Sequence, residues 1–186
     1  MIKKFIALLI FAGCLVNVVS CSPYVTWKEE VMLNDGHVIV VEQKRRMEGQ
    51  IGREAWLTMS LPEISPQPII WHENLAPLIL NIDEGRLFVV ANAPTGLEQR
   101  KYGTPTPAYY GFEWKNGVFV RIPFKEISKN IYTTNLLLGG SPKKGESFID
   151  IRTKNNYRYE SPPYTSDLLK LDPNLGCLSL FPCNAF

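Results

Sequence analysis

A mainly β fold, an antiparallel β-sandwich or open β-barrel built of hairpins with one or two short helices, is what this chain of 186 residues predicts. Three observations carry the prediction. Short runs of β-branched and aromatic residues alternate with polar ones, the period of a half-buried strand. Asn-Asp-Gly, Asp-Glu-Gly and Asn-Gly stand between such runs, where a tight hairpin needs residues that accept a positive φ. Sustained helical periodicity is scarce, and no repeat of fixed length runs through the chain.

The first hairpin is expected around Asn34-Asp35-Gly36. Val25, Trp27, Val31 and Leu33 share one parity before it, with Glu29 as the exception, and residues 37–41 follow as a β-branched run that 42–47 extends in polar form. Lys44-Arg45-Arg46 reads as a solvated strand end, with a phosphate- or lipid-binding patch as the alternative. Residues 49–52 read as a turn or mobile loop. Residues 54–61 read as the next strand, with Ala55, Leu57 and Met59 on one side and Trp56 and Thr58 on the other. Pro62, Pro66 and Pro68 mark an extended connection, since proline cannot join a central ladder. Ile69-Ile70-Trp71 is a short strand.

The densest β signals lie in the middle. Residues 78–82 and 86–91 flank Asp83-Glu84-Gly85, and residues 109–115 and 118–122 flank Asn116-Gly117. Between these hairpins, residues 92–108 are rich in Pro, Gly and Thr and carry Arg100, Lys101 and Tyr102. A connection of that length is either a crossover between sheets or a functional loop. After Pro123 the spacing of Phe124, Ile127 and Ile131 suits one face of a short helix. Leu136-Leu137-Leu138 reads as a buried strand running into Gly139-Gly140, and residues 148–152 as an alternating strand that Asn155-Asn156 turns back. Leu168, Leu169 and Leu171 suit a single helical turn before Asp172-Pro173.

The N-terminus is organised differently. Lys3 and Lys4 precede an apolar run over residues 5–16 that falls short of the roughly 20 residues a spanning helix needs. A basic start, a short apolar core and small residues at its end describe a removable export signal. Val18-Val19-Ser20-Cys21 at its end resembles the lipobox of bacterial lipoproteins. The resemblance implies that Cys21 receives a diacylglyceryl group, that cleavage falls before it, and that the new N-terminus is acylated. Phe11-Ala12-Gly13-Cys14 is a second, weaker candidate, because its apolar core would span only residues 5–10. By the same resemblance, Ser22 in place of Asp favours the outer membrane over the inner one. The expected organisation is a signal over residues 1–20, a lipidated tether over 21–24, and a single β-rich domain over 25–186.

Composition agrees with that compartment. The whole chain carries 20 basic and 18 acidic residues. Both lysines of the signal leave with it, so the mature domain is formally neutral, which argues against a nucleic-acid partner. Of the four cysteines, Cys14 leaves with the signal and Cys21 is lipidated. Cys177 and Cys183 remain, an even pair in an exported chain, and are expected to form a disulfide that pins the tail. Without a nearby histidine they fall short of a zinc site.

Motifs for catalysis are missing. His72-Glu73 lacks the second histidine of a metallopeptidase helix, and the chain holds no Gly-x-Ser-x-Gly elbow, P-loop or dinucleotide fingerprint. Neither a cofactor nor a metal is expected. Glu63, Glu73, Asp83 and Glu84 read as surface or turn acids, though a carboxylate pair made by the fold would escape a reading by spacing. The candidate ligand-binding residues are Trp71, Tyr102, Tyr109, Tyr110 and Trp114, aromatics in or beside the proline-rich connections that suit stacking on sugars or anchoring an interface. The expectation is a membrane-anchored envelope lipoprotein acting as a non-enzymatic binding or structural module. Its alternatives are a carbohydrate- or peptidoglycan-binding module and a periplasmic hydrolase with an unrecognised site.

Overall fold

The computed structural model describes residues 23–138, 141–157, 170, 171 and 173. Its first four strands, β1 (Tyr24–Met32), β2 (Val38–Glu48), β3 (Ile51–Met59) and β4 (Ile69–Glu73), form an antiparallel meander. After Asn74 and Leu75 the chain enters a second meander of β5 (Ala76–Asp83), β6 (Arg86–Asn92), β7 (Tyr110–Lys115) and β8 (Val118–Ile122). A short helix, α1 (Gly96–Tyr102), joins β6 to β7. Near the end, β9 (Phe148–Ile149) adds in parallel to β1, and α2 (Ile151–Tyr157) follows it. The strand orders are β4-β3-β2-β1-β9 and β5-β6-β7-β8.

The two sheets pack face to face. Val31, Val41, Leu57 and Trp71 of the first meet Leu80, Leu87, Val89 and Phe112 of the second in one core. The Trp71 and Phe112 rings touch edge to face at 5.5 Å. Of the all-β architectures the sequence predicts, the chain adopts the sandwich. Alternation explains the pairing: in β3 the burial of Ala55, Leu57 and Met59 matches the expected parity, and in β1 Trp27 and Val31 point inward with Glu29.

The sheets differ in how they are covered. The back of the second sheet carries Ile79, Phe88, Val90 and Ile122, which pack under Phe124, Ile127, Ile131 and Tyr132. These covering residues lie in and around two 3-10 turns, Phe124–Glu126 and Lys129–Ile131, where the sequence predicts one short helix. The first sheet has no such cover among the described residues. Met32, Val38, Val40, Ile70 and Phe148 stand exposed on it.

Turn chemistry explains the well-read hairpins. Glu84 and Gly85 have φ of 51° and 73°, and Asn116 and Gly117 of 51° and 83°, the doubly positive φ of a two-residue turn that matches strand twist. Residues 49 and 50 make a tight turn rather than a mobile loop, with Gly49 at φ 62°. Other expectations are corrected. The connection over 92–108 contains a helix. Thr95 caps it by accepting a hydrogen bond from the Leu97 N–H, and the Thr95 hydroxyl also donates to Glu98, a Thr-x-x-Glu capping box in outline. Leu136 and Leu137 are buried but form no strand. The strand expected over 148–152 stops at Ile149, because Asp150 accepts from the Thr153 N–H and starts α2. The helical turn around Leu168 and Leu169 lies outside the described residues.

Arg45 is a further correction, since it is buried rather than solvated. Glu29, Gln43, Arg45 and Lys154 form a polar cluster at the flank of the core. Gln43 donates to Glu29, Arg45 to Gln43 Oε1 (3.1 Å) and to the Leu137 carbonyl (3.1 Å), and the Leu137 N–H to Glu29 (2.9 Å). Lys154 pairs with Glu29 and donates to the carbonyls of Glu30 and Asn135. Arg45 also lies over the Trp27 ring at 5.1 Å. Burial pulls the Arg45 pKa down to about 10 against the attraction of Glu29. The cluster ties the irregular segment around Leu137, and α2, to the inner face of β1 and β2.

Candidate interaction surface

The exposed parity of β1 to β4 builds an aromatic ladder. Lys44, Trp56 and His72 are cross-strand partners on the outer face. The Trp56 and His72 rings stack at 4.3 Å with 10° between their planes, and Tyr24 meets Trp56 edge-on at 5.9 Å. Lys44 Nζ sits 4.5 Å from the Tyr24 ring centre and 5.0 Å from that of Trp56, close enough for cation–π attraction. Glu54 joins His72 Nε2 (2.8 Å) to Arg46 Nε (2.9 Å) along one edge of the ladder. Burial pushes the Glu54 carboxyl up, but the bonds from His72 and Arg46 outweigh it and hold its pKa below the usual range. Glu54 orients the imidazole through Nε2.

A second polar network links the sheets beside the first. Tyr102 donates to Glu73 Oε2 (2.6 Å) and accepts from the Asn74 N–H (3.1 Å). Burial and the adjacent Glu73 raise its pKa to about 12, so the phenol stays protonated. Lys101 donates to Asn74 Oδ1, and Arg121 donates to the Tyr102 carbonyl while lying over the Tyr110 ring at 4.9 Å. Arg53 pairs with both Glu48 and Glu98, which ties α1 to the β2–β3 hairpin. Burial raises the Glu98 pKa, and hydrogen bonds from Thr95 and Arg53 outweigh it and leave it lowered.

The five aromatics expected to meet a ligand do not form one site. Trp71, Tyr109 and Tyr110 are buried, at 1 to 3% exposure, and offer no free ring face. Trp71 belongs to the core between the sheets, and Tyr109 to the core on the back of the second sheet, against Phe124 at 4.9 Å. Tyr102 and Tyr110 do meet, at 5.8 Å, and the Tyr110 hydroxyl donates to the Gly103 carbonyl (2.7 Å). Trp114 is half-buried against Phe119. Among the described residues, the aromatics on the outer face of the first sheet are instead Tyr24, half-buried Trp56 and Phe148, and for Tyr24 and Trp56 the sequence does carry the signal: they hold the outward parity of strands whose inward parity is largely apolar. Among the described residues, no group of three His, Cys, Asp or Glu side chains is arranged to hold a metal. Cys21, Cys177 and Cys183 lie outside the described residues.

Compared with protein-family models, curated proteins and solved structures, the chain matches none of them. No helix of the described residues is long and apolar enough to cross a membrane.

Proposed function

We propose that this chain is a lipid-anchored protein of the bacterial envelope, held to the outer membrane through Cys21, whose sandwich works as a non-enzymatic binding module for a protein partner. One observation carries the binding reading: the 3-10 turns cover most of the back of the second sheet, leaving Val118 and Val120 of β8 exposed there, whereas the first sheet leaves Met32, Val38, Val40, Ile70 and Phe148 on an open face beside the Tyr24–Trp56–His72 ladder. Apolar and aromatic side chains gathered on one open face, with charged residues between them, match the composition of a protein-binding patch. The anchoring reading rests on the lipobox-like Val18-Val19-Ser20-Cys21. The compartment reading predicts that Cys177 and Cys183 are linked when the protein is analysed without reductant.

The test has two arms in cells. Metabolic labelling with a fatty acid should mark the native protein, and Cys21→Ala should lose the label and leave the membrane fraction. A label that survives Cys21→Ala would end the anchoring reading. A photo-crosslinking residue at Val40 or Ile70 should capture one discrete protein, and the same residue at Asn116 should not. Equal capture at the three positions, or none at any, would end the binding reading.

A further inference from the structure

The lipid-bearing residue is joined to a particular end of the sandwich. Only Ser22 and Pro23 separate Cys21 from Tyr24, the first residue of β1, so the Cys21 Cα lies within about 11 Å of the Tyr24 Cα even if the link is fully extended. Tyr24 pairs with Arg46, and the Pro23 carbonyl accepts from the Met47 N–H, but β2 runs on to Glu48 before turning into β3 at Ile51. The β2–β3 hairpin therefore overhangs the start of β1 on the side from which the anchor leaves. The same end holds the Asn74 link between the sheets and α1, fixed there by the Arg53–Glu98 pair.

What this end exposes is uneven. Ile51 at the hairpin tip and Leu97 on α1 are 45% and 57% exposed, two isolated aliphatic projections. Its carboxylates are engaged within the domain: Glu48 with Arg53, Glu54 with Arg46 and His72, Glu73 with Tyr102, and Glu98 with Arg53 and Thr95. Lys44, Arg100 and Lys101 make no ion pair among the described residues. Lys44 lies against the Tyr24 and Trp56 rings, Lys101 binds an amide oxygen, and Arg100 stands exposed. One row farther from the end, Lys28 and Glu42 face each other across β1 and β2.

Resting on the anchoring reading above, we propose that this end of the sandwich lies against the bilayer surface. Ile51 and Leu97 enter the headgroup region, Tyr24 and Trp56 sit at its edge, and Lys44, Arg100 and Lys101 contact anionic headgroup phosphates. An acylated Cys21 confines whatever lies within a few residues of it to the interface, and aromatic rings with aliphatic tips and uncompensated cations are the groups that interface favours. Docked this way, the opposite end, which carries the Asn34-Asp35-Gly36 and Asn116-Gly117 turns, points away from the membrane, and the outer face of the first sheet stands beside the bilayer, open to a partner.

The test uses the full lipidated protein reconstituted into vesicles of phosphatidylcholine, with or without phosphatidylglycerol. A photo-crosslinking residue replaces Ile51, Leu97 or, as the far-end control, Asn116, and lipid adducts are read by mass. Adducts are expected at Ile51 and Leu97 and not at Asn116. Phosphatidylglycerol should raise the yield, by up to about fivefold for each cation that reaches the surface. The triple variant Lys44→Gln, Arg100→Gln, Lys101→Gln should remove that rise while leaving flotation intact. Protein that floats with vesicles but gives no adduct at Ile51 or Leu97, or as much at Asn116, would overturn the orientation and spare the anchor. Protein that neither floats nor carries lipid on Cys21 would overturn the anchor, and the orientation with it.

Discussion

Gly111 lies where the back of the second sheet meets the 3-10 turns, and a Cβ built there would come within 2.7 Å of Ile127 Cδ1 and 3.1 Å of the Ile122 carbonyl oxygen. Its φ is ordinary, so the need for glycine is one of space. Gly111→Ala should lower unfolding free energy by about 1–3 kcal/mol in urea titration, the usual cost of overpacking. Removing the Ile127 Cδ1 methyl in the background of that variant, by Ile127→Val, should return part of the loss; a double variant weaker than the sum of the two would contradict the contact. Glu113 makes a different prediction on the same face. The hydrogen bond from Arg86 is the largest influence on its carboxyl and, with Lys115, holds the pKa at about 2 against an ordinary 4.5. Because the folded pKa is depressed, the stabilisation is complete above about pH 4.5 and is lost as pH falls towards about 2. Arg86 and Lys115 are both half-exposed, so we expect about 1–2 kcal/mol rather than the full shift. Glu113→Gln should flatten the fall in stability between pH 5 and pH 2, and an unchanged slope would exclude this pair as its source.

At the scale of elements, two short helices are held by other parts of the fold and not by their own propensity, since seven residues are too few for an independent helix. α2 depends on the cluster around Glu29. Lys154→Met keeps much of the stem but leaves Glu29 without its lysine and two backbone carbonyls without their donor; the expected cost is about 3–5 kcal/mol, as for breaking a buried pair. Amide exchange should speed up in α2 and near Leu137 before it does in β2 and β3; uniform acceleration would mean that the cluster holds the whole sandwich and not this latch. These elements also mark where sequence reading stops. The hairpins at Glu84-Gly85 and Asn116-Gly117 are legible because turn and strands are local, and each signal sits within a dozen residues. Glu29 stands out as a charge at an inward strand position, but its partner Lys154 arrives from the other end of the described chain. Residues 148–152 alternate well enough for a strand, and only Asp150 reveals the helix start. For the surface, parity alone points to Trp56, whereas proximity to prolines points to Trp71, Tyr109 and Tyr110, whose rings are drawn inside, Trp71 and Tyr110 between the sheets and Tyr109 behind the second.

At the scale of the whole molecule, the two faces of the first sheet should respond oppositely to substitution. Trp71 and Leu57 face inward at 1% and 0% exposure, and Trp71→Ala should cost about 3–5 kcal/mol, because the void cannot close under two packed sheets. Val40 and Ile70 face outward and are half-exposed, so Val40→Glu and Ile70→Glu should change stability by no more than about 0.5 kcal/mol. An uncovered β-branched or aliphatic side chain gains little from the fold it sits on, and a charge placed there removes what an apolar partner would gain. If the open face serves a protein partner, Val40→Glu and Ile70→Glu should abolish capture by a crosslinking residue held at Val38 while the melting temperature stays within a degree or two. The measurement separates two accounts of the same residues. A large drop in melting temperature would mean that the face is already covered within the protein and needs to stay apolar. Unchanged stability together with unchanged capture would move the binding surface off the first sheet altogether, leaving the open edge at β8, where Val118 and Val120 are exposed, as the next apolar ground to test.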